Sequence, residues 1–277
     1  MSADTRLAAA GVRDGRASAI WLLRTVDRAA GVYPALGLLL GLAVWEAAAR
    51  IFHPIALPPF TAVLRRLIRL IADGTIAGDL ATSLQNLAIG FAIALVLGIA
   101  VGILMGWFPL VEEALEPYIY ALLTAPTIVF APIYFSIFGL SHWAIIALIV
   151  QYSTLVITIN TAAGVKGVPA EMVEMAQVFG ASRRHLLLGV VLPAAAPLMM
   201  AGVRVGMARA VLGMINGELL IALVGLGATS EGFARAYDTE GVLAMVLIVV
   251  IVALICNGLV RAVDGRINHW LPSSQRK

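Results

Sequence analysis

The chain has 277 residues, of which 61% are hydrophobic and 13% charged, with a mean hydropathy of +0.96. A soluble domain carries roughly a quarter charged residues, so a soluble globular fold is excluded, and disorder and collagen with it. The lone cysteine, Cys256, excludes a disulfide scaffold. The composition is that of an integral membrane protein with several apolar spans. The net charge of +3 fits basic residues holding loops on the cytoplasmic side of a membrane better than it fits nucleic-acid binding. Lysine occurs only at Lys166 and Lys277, and neither closes a G-x-x-x-x-G-K-[ST] loop. The chain therefore carries no phosphate-binding loop of its own.

Residues 1–33 are polar and rich in arginine (Arg6, Arg13, Arg16, Arg24, Arg28). No compact apolar core with a cleavage site follows Met1, so this segment is expected to be a cytoplasmic tail, with a short amphipathic helix around Ile20–Val26, rather than a cleaved signal peptide. A first span is predicted over 34–52. Glu46 and Arg50 in its last turns have the acid-first i,i+4 spacing of an ion pair. After Leu57-Pro58-Pro59 comes an amphipathic stretch. Leu64, Leu67, Ile68 and Ile71 mark one face and Arg65, Arg66 and Arg69 the other, the pattern of a helix lying on a membrane surface.

Five more spans are predicted at 80–108, 117–138, 142–164, 193–224 and 240–261. Pro126 and Pro132 are expected to kink the third. Ser141 is placed to cap the fourth. Gly225–Glu240 reads as a polar loop. Gly90, Gly98, Gly102 and Gly106 follow the small-x-x-x-small rhythm of close helix packing. The arginines and lysines outside the spans place both termini in the cytoplasm, with Arg65, Arg66 and Arg69 against the trend.

Residues 165–192 are the most polar internal segment. Pro169 can start a helix, with Glu171 and Glu174 in its early turns, where the helix dipole favours acids. Gly180 is placed to end it in a left-handed cap. Ser182 can cap a second short helix to about Val190, and Pro193 opens the fifth span. The segment reads as helix, sharp turn, helix, which suits a docking surface that transmits force.

Polar groups inside a span are costly and face protein or water. Gln151, Thr154 and Thr158 share one face of the fourth span by spacing, and Asn216 and Glu218 lie in the fifth. These five are the candidate lining of a central path; hydrogen bonding between helices is the competing reading. Arg204 and Arg209 are candidates to neutralise Glu218 or to interact with the loop. His53, His142, His185 and His269 show no metal-ligand spacing. No nucleophile–base or paired-carboxylate arrangement is evident, so neither a catalytic nor a metal site is expected. Cys256 reads as an apolar filler.

Glu174-Met175-Ala176-x-x-x-Gly180, nine residues, then Val190-x-Leu192-Pro193 resembles the EAA loop of binding-protein-dependent ABC importer permeases. Met175 stands where the second alanine is usual, and Val190 replaces isoleucine. Leu57-Pro58-Pro59, the glycines of the second span, the prolines of the third, and Gly202-x-Arg204, Glu218 and Gly225-Leu226-Gly227 resemble the nitrate/sulfonate/taurine branch. The likeness covers roughly 34–265, with a C-terminal tail from 266. Where the branch usually has a tryptophan before the glutamate, this chain has Val211-Leu212.

The resemblance implies an all-α, MetI-like transmembrane domain of six helices in the bacterial inner membrane. It implies a second permease copy, two ATP-binding-cassette subunits that bind ATP and magnesium, and a periplasmic or lipid-anchored binding protein. No cofactor would be held by this chain, and no nucleic acid bound; lipid surrounds it. Glu171, Glu174, Met175, Ala176, Gly180, Ala181, Ser182, Leu192 and Pro193 would form the ATPase-coupling surface. The implied cargo is a small anion such as a sulfonate, taurine or nitrate. A vitamin precursor, an aromatic carboxylate or an amino acid is the alternative cargo. A secondary transporter, which would need an inverted repeat or an intramembrane ion site, is the competing class.

Overall fold

The computed structural model describes residues 32–52, 57–221 and 223–269. The expected helix at Ile20–Val26, His53 and the end of the C-terminal tail lie outside them. All regular elements among the described residues are helical. The chain divides into two compact units, residues 1–64 and 65–277.

In the first unit, α1 (Val32–Phe52) leaves Leu36, Leu38, Leu39, Leu40, Val44 and Ile51 exposed. At ~1.5 Å per residue its 21 residues reach across a hydrocarbon layer, where those side chains would meet lipid. The Glu46–Arg50 pair closes at 2.6 Å, as its spacing predicts. Thr61 donates to Glu46 from its backbone N–H (3.1 Å) and its hydroxyl (2.8 Å). Trp45 Nε1 donates to the Pro58 carbonyl at 3.1 Å. The Leu57-Pro58-Pro59 turn is thereby tied to the last turns of α1.

Helix α2 (Phe60–Ala72) opens in the first unit and ends in the second. Its buried stripe is Val63, Leu67 and Leu70, while Leu64, Ile68 and Ile71 are exposed. The single apolar face read from the sequence is thus two: one packed and one outward. Within the second unit, Arg66 pairs with Asp238 at 2.8 Å and its guanidinium lies 5.3 Å from the Phe233 ring centroid. Arg66→Gln should lower the stability of the purified protein by about 1 kcal/mol or less, read as a small fall in its thermal midpoint. An unchanged midpoint at low salt would show the pair to be idle.

The second unit continues with α3 (Ala77–Trp107), α4 (Pro109–Thr124), a 3₁₀ turn (Thr127–Phe130), α5 (Ala131–Phe138), α6 (His142–Lys166), α7 (Ala170–Val178) and α8 (Arg183–Leu186). A π turn (Leu187–Val191), α9 (Leu192–Ile221), α10 (Gly225–Arg235) and α11 (Thr239–Ile267) complete it. Among the described residues, five stretches are long and apolar enough to cross a membrane: part of α1, α3, α6, Arg183–Ile221 and α11. The pair formed by α4 and the 127–138 segment makes a sixth if counted as one span, but it bends by 98°. The expected kink is therefore a full break. Ala125 precedes Pro126 and is extended (φ −66°, ψ 134°), the conformation a following proline imposes.

α6 is the central helix. Along one side it receives the glycines of α3 in parallel order: Gly90 at Ile149, Gly98 at Ile157, Gly102 at Thr161 and Gly106 at Val165. Along another side it receives Gly217, Gly213 and Gly206 of α9 in antiparallel order, at Ile145, Ile149 and Ile157. β-branched knobs on α6 thus fill gaps left by missing side chains on both neighbours. Between apolar helices in lipid, such contact packing supplies much of the association.

The sequence predicts the third span at 117–138, but α4 begins at Pro109 and carries Glu112 and Glu116, with Pro117 inside it. Ser141 occupies the N-cap position of α6 but its hydroxyl donates backward to the Phe138 carbonyl (2.8 Å). The polar loop 225–240 is mostly a helix, α10, whose first residues are buried. Arg204 faces Asp264 at 3.6 Å rather than Glu218, and Arg209 is exposed.

Candidate functional site

The elbow between α6 and α9 forms as its residue order dictates. α6 ends at Lys166, which pairs with Glu112 at 2.6 Å. Pro169 takes the N-cap position of α7, with Glu171 in the first turn. α7 ends in a paired-carbonyl cap. Gly180 adopts φ +78° and donates to Gln177 O (2.9 Å), and Ala181 N–H donates to Ala176 O (3.0 Å). That hydrogen-bond pair is the Schellman motif, and its left-handed residue favours glycine. Ser182 then caps α8 by accepting from His185 N–H (3.3 Å).

The inner side of the elbow is apolar. Val165, Leu186, Val191 and Ala195 are buried together, and Val173 and Ala176 of α7 pack on them. A cavity of about 450 Å³, lined by Trp107, Lys166, Val173, Gln177 and Leu186 among others, leaves the underside incompletely filled. The outer side carries Glu171, Glu174 and Met175, all exposed. It also carries two side chains that the sequence reading passed over: Val178 at 86% exposure and Phe179 at 84%. Their signal is two large apolar residues directly before the capping glycine of the most polar internal segment. Ala181 and Leu192 are half-buried, and Ser182 and Pro193 are exposed.

The second short helix does not stop near Val190. α8, the π turn and α9 run on as one apolar stretch of 39 residues, Arg183–Ile221. The π turn has a cause in Pro193, which has no N–H to give to the carbonyl four residues back. The longer-looped register, with Leu192 N–H bonded to Leu187 O, absorbs the mismatch. At ~1.5 Å per residue this rod joins the elbow to Glu218 near its far end.

The five candidate path residues fall into separate groups. Gln151 is half-buried and accepts from the Tyr134 hydroxyl at 2.8 Å. Asn216 is half-buried and donates to the Tyr152 hydroxyl at 3.0 Å. Thr154 is half-buried with an unpartnered buried hydroxyl. Thr158 is 1% exposed and its carbonyl lies against Gly102. Glu218 is fully buried, and its hydrogen bonds go to Ser83 on α3 and Gly227 on α10, not to the other four. Cys256 is buried among apolar side chains near the α2–α3 turn. Among the described residues, no cluster of three or more His, Cys, Asp or Glu could hold a metal.

Residues 94–269 match the family described as binding-protein-dependent transport system inner membrane component. A formylaminopyrimidine transport permease protein, ThiX, of Halalkalibacterium halodurans is 31% identical over 86% of this chain and 95% of its own length. The taurine transport system permease protein TauC of Escherichia coli is 31% identical over 83% of this chain and 86% of its own. Among solved structures, an amino acid ABC transporter chain superposes with a TM-score of 0.57 at 16% identity, covering 72% of this chain and 97% of that one. That likeness bears on the fold alone, and it agrees with the helical architecture above. With the profile match spanning most of the chain, and further relatives named for aliphatic sulfonates and nitrate, the protein belongs to the MetI-like permeases of ABC importers, in the nitrate/sulfonate/taurine branch.

Proposed function

We propose that this chain forms the translocation path of an importer for a small anionic solute, of the sulfonate, taurine or nitrate kind, and takes its driving force through the elbow at 165–192. The observation that carries the coupling is the elbow itself. A capped helix projects exposed Val178 and Phe179 beside Glu171, Glu174 and Met175, and it leads into a continuous stretch of 39 residues. Large apolar side chains held out in water at a helix end are the mark of a partner surface. In this reading the partner is the ATP-binding-cassette subunit, present twice, which holds ATP and magnesium and does the hydrolysis. Ala176 packs under the helix, and Gly180 fixes the angle at which it meets the partner.

The assembly also needs a second permease copy, which is the same chain in this reading, and a binding protein on the opposite face. With the elbow inside, both termini are cytoplasmic, and Arg66, one of the arginines that opposed this orientation, is offset by Asp238. Gln151, Thr154, Thr158, Asn216 and Glu218 were the candidate path residues. Gln151 and Asn216, half-buried beside tyrosine hydroxyls, are the two best placed to meet a solute. A second cargo, a pyrimidine vitamin precursor, is favoured by the relative named for formylaminopyrimidine, whose match covers 86% of this chain.

The test is co-purification of the neighbouring ATPase with the permease in lipid discs. The double variant Val178→Asp/Phe179→Asp should reduce ATPase retention at least tenfold while leaving the permease monodisperse. Wild-type retention by that variant removes the elbow from the docking surface. ATP-independent uptake into vesicles would instead favour a secondary transporter.

A further inference from the structure

The Glu218 carboxylate has no ion-pair partner among the described residues, although no surface of the residue is exposed. What surrounds it is the start of α10. Oε2 accepts from the Gly227 N–H (3.1 Å) and from the Ser83 hydroxyl (2.8 Å). The Ser83 oxygen in turn accepts from the Leu226 N–H (2.9 Å). The first N–H groups of a helix have no partner within it and must find one elsewhere. Val224, at the N-cap position, supplies no side-chain bond. Here α9 and α3 supply the acceptors.

The fit is close. Gly225 adopts φ +75°, and a Cβ there would lie 2.5 Å from the carboxylate carbon. A Cβ on Gly227 would lie 2.5 Å from Glu218 Cβ. Gly225 and Gly227 thus leave Glu218 the space that a side chain at either position would fill. Asn86 of α3 lies three residues beyond Ser83, on the same helix face, and is also buried. Asn86 Nδ2 and Glu218 Oε1 are both buried without a hydrogen-bond partner, one a donor and the other an acceptor. Asn86 Oδ1 lies 3.1 Å from His142 Nδ1 at the start of α6. Asp79 of α3 also accepts from the Thr229 hydroxyl of α10. An anion at a helix N-terminus is stabilised by the partial positive charge there, and more so where water is excluded.

We propose that Glu218 is a positioning residue whose carboxylate caps α10 from the neighbouring helix α9, locking α10 to the outer end of the 183–221 rod so that elbow, rod and α10 move as one piece. Glu218→Gln removes the charge and puts an amide donor where a second carboxylate oxygen stood. Adding Asn86→Asp returns one carboxylate to the same cluster from α3.

The test is an electron–electron distance measurement on the full chain in lipid discs, without ATPase or cargo, with the labelled chain diluted in unlabelled chain so that each assembly carries one labelled copy. Spin labels go at Leu212→Cys on α9, which is exposed, and at Gly232→Cys on α10, which has open space around it, in a Cys256→Ala background. The expected result is one narrow distance in the otherwise native chain and at least a twofold broader distribution in Glu218→Gln. The native width should return in Glu218→Gln/Asn86→Asp. Ser83→Ala should broaden it too, and serves if the first variant does not fold. A native width in Glu218→Gln or in Ser83→Ala overturns the proposal. Broadening that Asn86→Asp fails to reverse also overturns it, because shape rather than charge would then hold α10. The importer assignment is untouched by either outcome.

Discussion

A permease carrying Gly180→Pro is expected to lose at least tenfold of its binding-protein-stimulated ATP hydrolysis, falling to the basal rate of the ATPase. Three faults arise at one residue. The native φ of +78° is out of reach of a ring locked near −65°. The N–H that Gly180 gives to Gln177 O is missing. Phe179, with φ −77° and ψ 8°, would have to leave the helical region, which a following proline disfavours. The cap opens, and the angle between α7 and the 183–221 rod is no longer fixed. Gly180→Ala separates backbone strain from crowding. A Cβ there meets nothing within 4 Å, so only the left-handed conformation is penalised, by roughly 1–2 kcal/mol. Stimulation should therefore fall in the order glycine, alanine, proline, while all three proteins remain monodisperse. Equal stimulation in all three would show that the elbow does not need its bend.

Much of this elbow was legible in the sequence because each signal is local. Proline before a helix, acids in its early turns, glycine at its end and serine before the next helix act within a few residues of themselves. The rod was not legible. Pro193 reads as the start of a span, yet a π turn carries the helix through it, and nothing local distinguishes a restart from a register shift. The broken third span was half legible: proline at 126 foretold a bend, but its 98° depends on what the two halves pack against. Helix α10 was missed because its cap comes from Ser83 and Glu218, distant in sequence, and Val224 offers none of its own. The same distance explains Glu218. The apolar run around it puts it in a span with candidate path residues, and only the fold shows that its hydrogen bonds go to α3 and α10.

Gly102→Leu is expected to remove the folded protein altogether. A Cβ alone at this position would lie 2.5 Å from Thr161 Cβ and 2.7 Å from the Thr158 carbonyl. The second obstacle is backbone and cannot rotate away. Gly102→Ala should therefore cost about 1–3 kcal/mol as an overpacked contact, read as a fall of roughly 3–10 °C in the unfolding midpoint for a chain of this size. Leucine adds three further carbons to the same gap and forces α3 off α6. That separation cannot stay local, because Ile149 and Ile157 of α6 meet glycines of both α3 and α9, so opening one face loosens the knobs that fill the other. Gly258→Leu on α11 is the control: nothing lies within 4 Å of a Cβ there, and the stability should stay within about 0.5 kcal/mol of native. Size-exclusion recovery and thermal unfolding of the three proteins in one detergent decide the matter. A monodisperse Gly102→Leu protein with a native midpoint would mean that α3 and α6 are not in this contact in the membrane.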